Sequence, residues 1–424
     1  MEYKRIPPAI PRHAGGHGRC NDIRRLACEH RFDQLVEPSE VTTTSPATQS
    51  WSSMSDRSRA SAKTPPLKVI DLFAGCGGLS EGFRESERFT PVAAVEKDLY
   101  AAATYAANFG EEHIYQGDIA DWVKGDLPEA DVVVGGPPCQ GFSNLGAKRE
   151  DDERNDLWER YVDTLLKVRP KAFLLENVDQ FLKTTQFAAL RKLTQRGGEL
   201  SDYSIDFGIL RATDFGSSQL RRRAIVIGTH RDVEQIPLPA VQVAPAAWPT
   251  VKDAISDLNQ AVPETQVDLP PGRVYEVFGR VVPGKYTANE LHITRNYQQL
   301  SKDRFEAIPE GGNRFDLPDH LKAPCWIKHT TGSGDVMGRL RWDKPSVTIR
   351  TEFFKPEKGR YIHPSENRAL THHEAARLQG FPDTFEWCGP KLEIARQIGN
   401  AVPVQLAQYL ARHIANGLAD RPAK

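Results

Sequence analysis

Between residues 67 and 230 the apolar positions fall into short runs separated by stretches of mixed polarity. LKVIDLFAG reads as a buried strand entering a glycine loop, and SEGFRES after it as a helix start. PVAAVEKD is a second strand ending at Glu96, followed by the Ala-rich helix LYAAATYAANF. HIYQGDI makes a short strand ending at Asp118, and ADVVVGGPP a fourth strand. The amphipathic DLWERYVDTLLKVRP is a helix stopped by Pro170, and KAFLLENV is a fifth strand. YSIDFGILRATDFG and RRRAIVIGTH continue the sheet. Short strands alternating with helices predict an α/β fold, a mostly parallel sheet with helices on both faces.

After about residue 235 the rhythm changes. IPLPAVQVAPAAWP is a proline-rich crossing, and from there to about residue 360 the elements are short and broken by Pro and Gly. This predicts a second, smaller, irregular domain. EAARLQGFP is helical with a Gly and Pro stop, and the tail LEIARQIGNAVPVQLAQYLARHIANGLA holds two helices joined at GNAVP. Residues 1–66 are rich in Ser, Thr, Pro and Arg and lack periodicity, which reads as a disordered arm. The expected division is an arm (1–66), an α/β domain (67–238), an irregular domain (239–385) and C-terminal helices (386–424) packing back on the α/β domain. Met54 stands just ahead of the first ordered segment and is an alternative start to Met1.

Composition narrows the class. The 424-residue chain has a formal net charge of −1, so a nucleic-acid surface would have to be local. Two candidates are the consecutive Arg221, Arg222 and Arg223, and the stretch from Lys328 to Arg360, where Lys and Arg outnumber Asp and Glu. Within the latter, Arg339, Arg341 and Arg350 could read guanine edges or touch phosphate. No apolar run is long enough to span a membrane, and the N-terminus has no signal-type apolar region; a cytoplasmic protein is expected. Six scattered cysteines argue against a disulfide framework and for a reducing compartment. Cys20, Cys28 and His30 match no tetrahedral spacing, and no metal is expected.

Two groups of residues carry chemistry. DLFAGCGG is a glycine-rich turn after the first strand, where backbone can approach a ligand and helix N–H groups point at an anion. Its spacing, Gly75, Gly77 and Gly78, departs from the GxGxxG of nicotinamide enzymes. Glu96 ends the second strand, where a carboxylate accepts from ribose hydroxyls, and Asp118 ends the third. Together they suggest an adenosine-bearing ligand. The second group centres on GGPPCQGFS. Pro137 and Pro138 stiffen the approach to Cys139, Glu176 ends the next strand in ENV, and QLRRR puts Arg221 and Arg223 at the start of another, on one face by alternation. A thiol needs a positive or dipolar setting to act as a nucleophile near neutral pH.

The ordered series DLFAGCGG, VEKD, GDI, GGPPCQGFS, ENV, QLRRR, EAARLQGFP and QIGNAVP resembles the cytosine-5 DNA methyltransferases, and layout is most similar to bacterial modification enzymes of restriction systems. The resemblance covers residues 67–235 and about 365–405, and it implies the class I S-adenosylmethionine-dependent methyltransferase fold with a target-recognition domain in the irregular segment. It implies that Cys139 adds to C6 of a flipped-out cytosine in duplex DNA, that Glu176 hydrogen-bonds and protonates ring N3, and that Arg223 contacts the O2 side. Arg221 would be a supporting or phosphate contact, and Asn177 would order the Glu176 loop. Phe73, Gly75, Gly77, Glu96, Asp118, Ile119, Pro138 and Asn400 would surround S-adenosylmethionine. The segment after Cys139 would be a closing lid. Cys76 is read as packing and Arg222 as solvated or on phosphate. A monomer is expected, working beside a cognate restriction endonuclease.

Other readings have distinguishing marks. The tRNA-methylating branch of the family carries Cys-Phe-Thr in its recognition segment, whereas Cys325 here is followed by Trp326 and Ile327. A catalytically inactive DNA-binding module would have lost Cys139, Glu176 or Arg223, and all are present.

Overall fold

The computed structural model describes residues 65–138, 157–328 and 331–419. The expectations for residues 1–64, including Met54, Cys20, Cys28 and His30, and for Cys139 and the segment after it, lie outside these residues. β1 (Leu67–Leu72) buries Val69, Ile70, Asp71 and Leu72 in sequence. A strand covered on both faces reads as a continuous apolar run, without period-two alternation. A βαβ rhythm follows: α1 (Gly78–Glu85), β2 (Phe89–Glu96), α2 (Leu99–Phe109), β3 (Ile114–Gln116), α3 (Ile119–Trp122), β4 (Val132–Gly135), α4 (Leu157–Val168), β5 (Ala172–Asn177), α5 (Thr185–Leu193) and β6 (Tyr203–Arg211). β7 (Gln219–Leu220) and β8 (Arg222–His230) complete this part.

Seven strands form one sheet in the order β3-β2-β1-β4-β5-β8-β6. The pairs from β3 to β5 are parallel, and β8 runs antiparallel to both β5 and β6. This is the mostly parallel sheet of the class I methyltransferase fold that the sequence predicted. The link from β6 to β8 is too short for a helical crossover, and a short link suits antiparallel neighbours. The reversal brings the beginning of β8 to the end of β5, with Asn177 opposite Ala224. Strand order reverses between β1 and β4, which opens a crevice at their carboxyl ends. The third strand ends earlier than expected. β3 stops at Gln116, and Asp118 instead caps α3, its Oδ1 accepting from the Ala120 N–H at 2.9 Å.

Beyond residue 235 the elements are short: α6 (Val251–Ile255), the hairpin β9 (Val274–Val277) and β10 (Arg280–Pro283), α7 (Gln299–Ala307), α8 (Pro324–Lys328), β11 (Ser346–Val347) and α9 (His372–Leu378). Then come α10 (Lys391–Asn400) and α11 (Val404–Ala419). β11 pairs in parallel with β7, Ser346 opposite Gln219, and so ties the irregular segment to the sheet. One apolar cluster joins Cys76 of the glycine loop to Val251, Ile349, Leu370 and Ile398. Phe385 and Trp387, on either side of the 385/386 boundary, pack in it with ring centroids 5.0 Å apart.

α11 lies on α1 and the sheet through Leu406, Leu410 and Ile414, all fully buried. Burial of each such side chain contributes about 1.5–3 kcal/mol. The helices cross closely because residue 82 is glycine: a Cβ there would stand 2.4 Å from that of Ala407. In the irregular segment, Arg368 donates to both oxygens of Glu374, at 2.8 and 2.7 Å, with both residues buried. Burial pushes the Glu374 carboxyl up, but the Arg368 charge outweighs it and holds the group at about 2. Glu374 also accepts from the Thr371 N–H while Thr371 caps α9, a reciprocal capping box.

Candidate active site

The turn after β1 is built for close backbone approach. Phe73, Gly75 and Gly77 all have left-handed φ, at 58°, 57° and 97°. For Phe73 that conformation costs about 1–3 kcal/mol, which the surrounding packing must offset. The two glycines differ in function. A Cβ on Gly77 would stand 2.5 Å from the Phe109 ring, so Gly77 lets α1 pack on α2. A Cβ on Gly75 would have no atom of the described residues within 4 Å, so the loop is open there among them. The Gly75 N–H donates to Glu96 Oε2 at 2.9 Å, and Glu96 Oε1 accepts from the Asp98 N–H at 2.7 Å. Burial raises the Glu96 pKa. Ile119 is buried and Phe73 half-buried, which leaves an apolar wall beside this acid. Asp118 pairs with Lys97 at 2.9 Å, and that hydrogen bond lowers its pKa.

Asp71, at the end of β1, was not singled out from the sequence. It is 1% exposed, accepts from Ser80 Oγ at 2.7 Å and leaves Oδ1 without a hydrogen-bond partner among the described residues. Ser80 in turn contacts the buried Tyr105 hydroxyl at 3.0 Å. Burial pushes the Asp71 carboxyl up to about 7. A charged residue type inside an apolar run was the available signal, because such residues are seldom buried without a partner. Open backbone at Gly75, a ribose-type acceptor at Glu96 and an apolar wall fit an adenosine-bearing ligand.

On the other side of the crevice, the glycine pair before the prolines has a definite reason. A Cβ on Gly135 would lie 2.5 Å from the Leu72 carbonyl oxygen, and one on Gly136 would lie 3.0 Å from Glu176 Oε2. Asn177 Nδ2 donates to the Pro137 carbonyl at 2.8 Å, which fixes the proline turn to the end of β5. Pro137 is buried and Pro138 exposed. Arg223 Nε approaches Glu176 Oε1 to 2.6 Å. The contact is a charge pair with no aligned hydrogen bond, so Oε1 keeps its accepting capacity. Glu176 is 8% exposed. The crevice edge thus holds a buried carboxyl group paired with a guanidinium, at the turn that follows β4.

Arg221 does not join that pair. The strand breaks at this residue, and its side chain turns inward to 2% exposure. It donates to the carbonyls of Ile349, Gly399 and Asn400 at 3.0, 3.1 and 3.4 Å, in surroundings whose burial lowers its pKa. The phosphate reading is corrected, because a guanidinium enclosed by carbonyls cannot reach a phosphate. The Asn400 carbonyl is held by this same bond. Arg222 is exposed, 3.8 Å from Asp179. Arg339 corrects a second expectation. It is 4% exposed and donates to carbonyls of Phe305, Ile308, His363 and Glu366 and to Asn367 Oδ1, so it cannot face a groove. Arg341 and Arg350 stay exposed. Cys76 is buried as expected, its thiol 3.7 Å from the Gln397 carbonyl and its pKa raised by burial.

The family model for C-5 cytosine-specific DNA methylase matches residues 67–416. The chain belongs to that family. It is therefore a DNA cytosine-5 methyltransferase. It is similar to the type II methyltransferase M1.HphI of Haemophilus parahaemolyticus, 33% identical over 359 residues that cover 82% of this chain and 86% of that one. M.DdeI of Desulfomicrobium norvegicum is 32% identical over 377 residues, covering 82% and 88%. Among solved structures, an E. coli prophage-encoded candidate DNA modification methyltransferase matches with TM-score 0.62 and 27% identity over 84% of this chain and all of that one. The Dnmt2 methyltransferase of S. pombe shares the fold, with TM-score 0.54 and 15% identity. No helix among the described residues is long and apolar enough to cross a membrane.

Proposed function

We propose that this methyltransferase takes its methyl group from S-adenosylmethionine and delivers it to C5 of a cytosine flipped out of duplex DNA, through a covalent adduct of Cys139. The observation that carries the reading is the Glu176–Arg223 pair at the carboxyl edge of the sheet, facing the turn that leads to Cys139 in the sequence. Cytosine C5 is a poor nucleophile. Addition of a thiolate at C6 turns the ring into an enamine, and a proton held at N3 makes that addition easier. In this reading Glu176 hydrogen-bonds N3, and Arg223, paired with the carboxyl, keeps it oriented and serves the O2 side.

S-adenosylmethionine, when bound, supplies an electrophilic methyl group. Gly75, Glu96, Phe73, Ile119, Asp118 and Asp71 would hold it: Glu96 at the ribose, Phe73 and Ile119 against the adenine, Asp118 at the adenine edge, and Asp71 as the buried acceptor below the glycine loop. Pro138 and Asn400, both exposed, would complete the site. A base inside a duplex must leave the stack for this chemistry, at a cost of a few kcal/mol. The similarity to type II methyltransferases supports a role in protecting DNA from a partner endonuclease.

Methyl transfer from labelled S-adenosylmethionine to duplex DNA, with bisulfite sequencing of the product, tests the reading and names the modified site. The Cys139→Ser variant should bind DNA and cofactor yet lose turnover and the covalent trap with 5-fluorocytosine DNA. Full turnover by that variant, or label passing to tRNA in place of DNA, would overturn it.

A further inference from the structure

A cleft of about 420 Å³ lies between β7 and the irregular segment, lined by Leu220, Asp335, Val347, Thr348 and Arg350. Its floor is the parallel pair β7–β11, reinforced by Thr348 Oγ1 donating to the Leu220 carbonyl at 3.0 Å. Leu220 precedes Arg223 by three residues, so the cleft begins within about 11 Å of the catalytic pair. That is about three steps of 3.4 Å along a DNA strand.

The walls differ in charge. Arg350 is anchored by Nε to the Tyr361 hydroxyl at 3.1 Å and by Nη2 to the Lys358 carbonyl at 3.3 Å. Asp335 lines the same cleft, and hydrogen bonds hold its loop. Arg360 donates to the Gly334 carbonyl at 2.9 Å and to the Gly311 carbonyl at 2.8 Å, and the Asp335 N–H donates to Ser333 Oγ at 3.2 Å. Yet the Asp335 carboxylate itself accepts no hydrogen bond among the described residues. Its nearest charge is Arg360 Nε at 3.5 Å, and its side chain is 47% exposed. A loop held by these hydrogen bonds thus lines the cleft with a carboxylate that accepts no hydrogen bond from the described residues.

A carboxylate facing duplex DNA is repelled by phosphate and can gain only from a donor on a base edge. Two bases present an exocyclic amine in the major groove. Adenine sets its amine beside the N7 acceptor, which repels a carboxylate, whereas cytosine offers the N4 amine without such a neighbour. Building on the DNA-methylating reading above, we propose that Asp335 is a specificity-determining residue: it accepts from N4 of a cytosine in a G·C pair near the target cytosine.

The test uses the full chain, labelled S-adenosylmethionine and a duplex library randomised around the methylated cytosine, read by bisulfite sequencing. Wild type should require a G·C pair at a nearby position. Asp335→Ala should lower discrimination at that one position by about 5- to 150-fold, the range of one good base contact, and leave other positions unchanged. Asp335→Asn, which keeps the shape, should alter preference at the same position. Unchanged preference at every position in both variants would overturn the proposal. So would a uniform loss of rate on all sequences, the result of a residue that only holds its loop. Wild-type protein that methylates no member of the library would instead sink the DNA-methylating reading, and the proposal with it.

Discussion

Arg223 Nε stands 2.6 Å from Glu176 Oε1 because β8 runs antiparallel to β5, so that one strand begins where the other ends. Glu176→Gln keeps the shape and removes the exchangeable proton. It should lower kcat by about 10²–10⁴-fold, the span of general acid–base catalysis, with cofactor affinity unchanged. Single-turnover methyl transfer checks this, and a variant within twofold of wild type would exclude Glu176 from proton transfer.

Gly136→Ala tests the close approach from the other side. The added Cβ would meet Glu176 Oε2 at 3.0 Å and the Glu176 carbonyl at 3.2 Å, so the carboxyl must shift by tenths of an ångström. Displacement of a catalytic group on the ångström scale costs up to about 100-fold in rate. The variant should fold with near-native melting temperature and lose about 10- to 100-fold in turnover. A lowered melting temperature with unchanged kcat would contradict this account.

Asp71 makes stability depend on pH. The carboxyl ionises at 3.8 in its ordinary setting and at about 7 when buried in the fold. Between those values the folded chain holds a proton that the unfolded chain has lost. The stabilisation is therefore complete below about pH 4 and is lost as pH rises through about 7. Asp71→Asn removes this slope. Thermal unfolding at about pH 5 and about pH 8, without cofactor, should show wild type losing more stability across the interval than the variant. Parallel curves would place the Asp71 pKa back in the ordinary range.

Glu374→Gln should be costly for a different reason. It leaves Arg368, 5% exposed, without its charge partner, and breaking a buried pair from one side costs about 3–5 kcal/mol. Denaturant unfolding measures the loss directly. In wild type the Glu374 contribution is present above about pH 4.5 and declines as pH falls toward about 2.

The parallel strands and the residues at their ends were legible in the sequence to a large degree. Buried parallel strands appear as apolar runs, and the turns between them carry glycine and proline, so Glu96, Glu176 and Gly75 could be placed at strand ends before any coordinates. Asp71 escaped notice because it sits inside such a run, where only its charge marks it. The end of β3 was placed two residues late because Asp118 is a good helix cap as well as a good strand-end acid, and capping prevailed.

Residue types and their spacing were enough to predict the α/β sheet and the order of its motifs, a series that resembles the family the chain belongs to. They could not distinguish one arginine from another. Arg221, Arg223, Arg339 and Arg350 carry the same guanidinium, and a guanidinium is claimed by whatever acceptors surround it. Arg221 meets carbonyls from Ile349 and Gly399, and Arg339 meets those of Phe305 and His363, all distant in sequence. Arg223 meets Glu176, while Arg350 keeps an exposed side facing the cleft of Asp335. Burial and hydrogen-bond partners arise from contacts between remote segments, and those contacts exist only after the chain has folded.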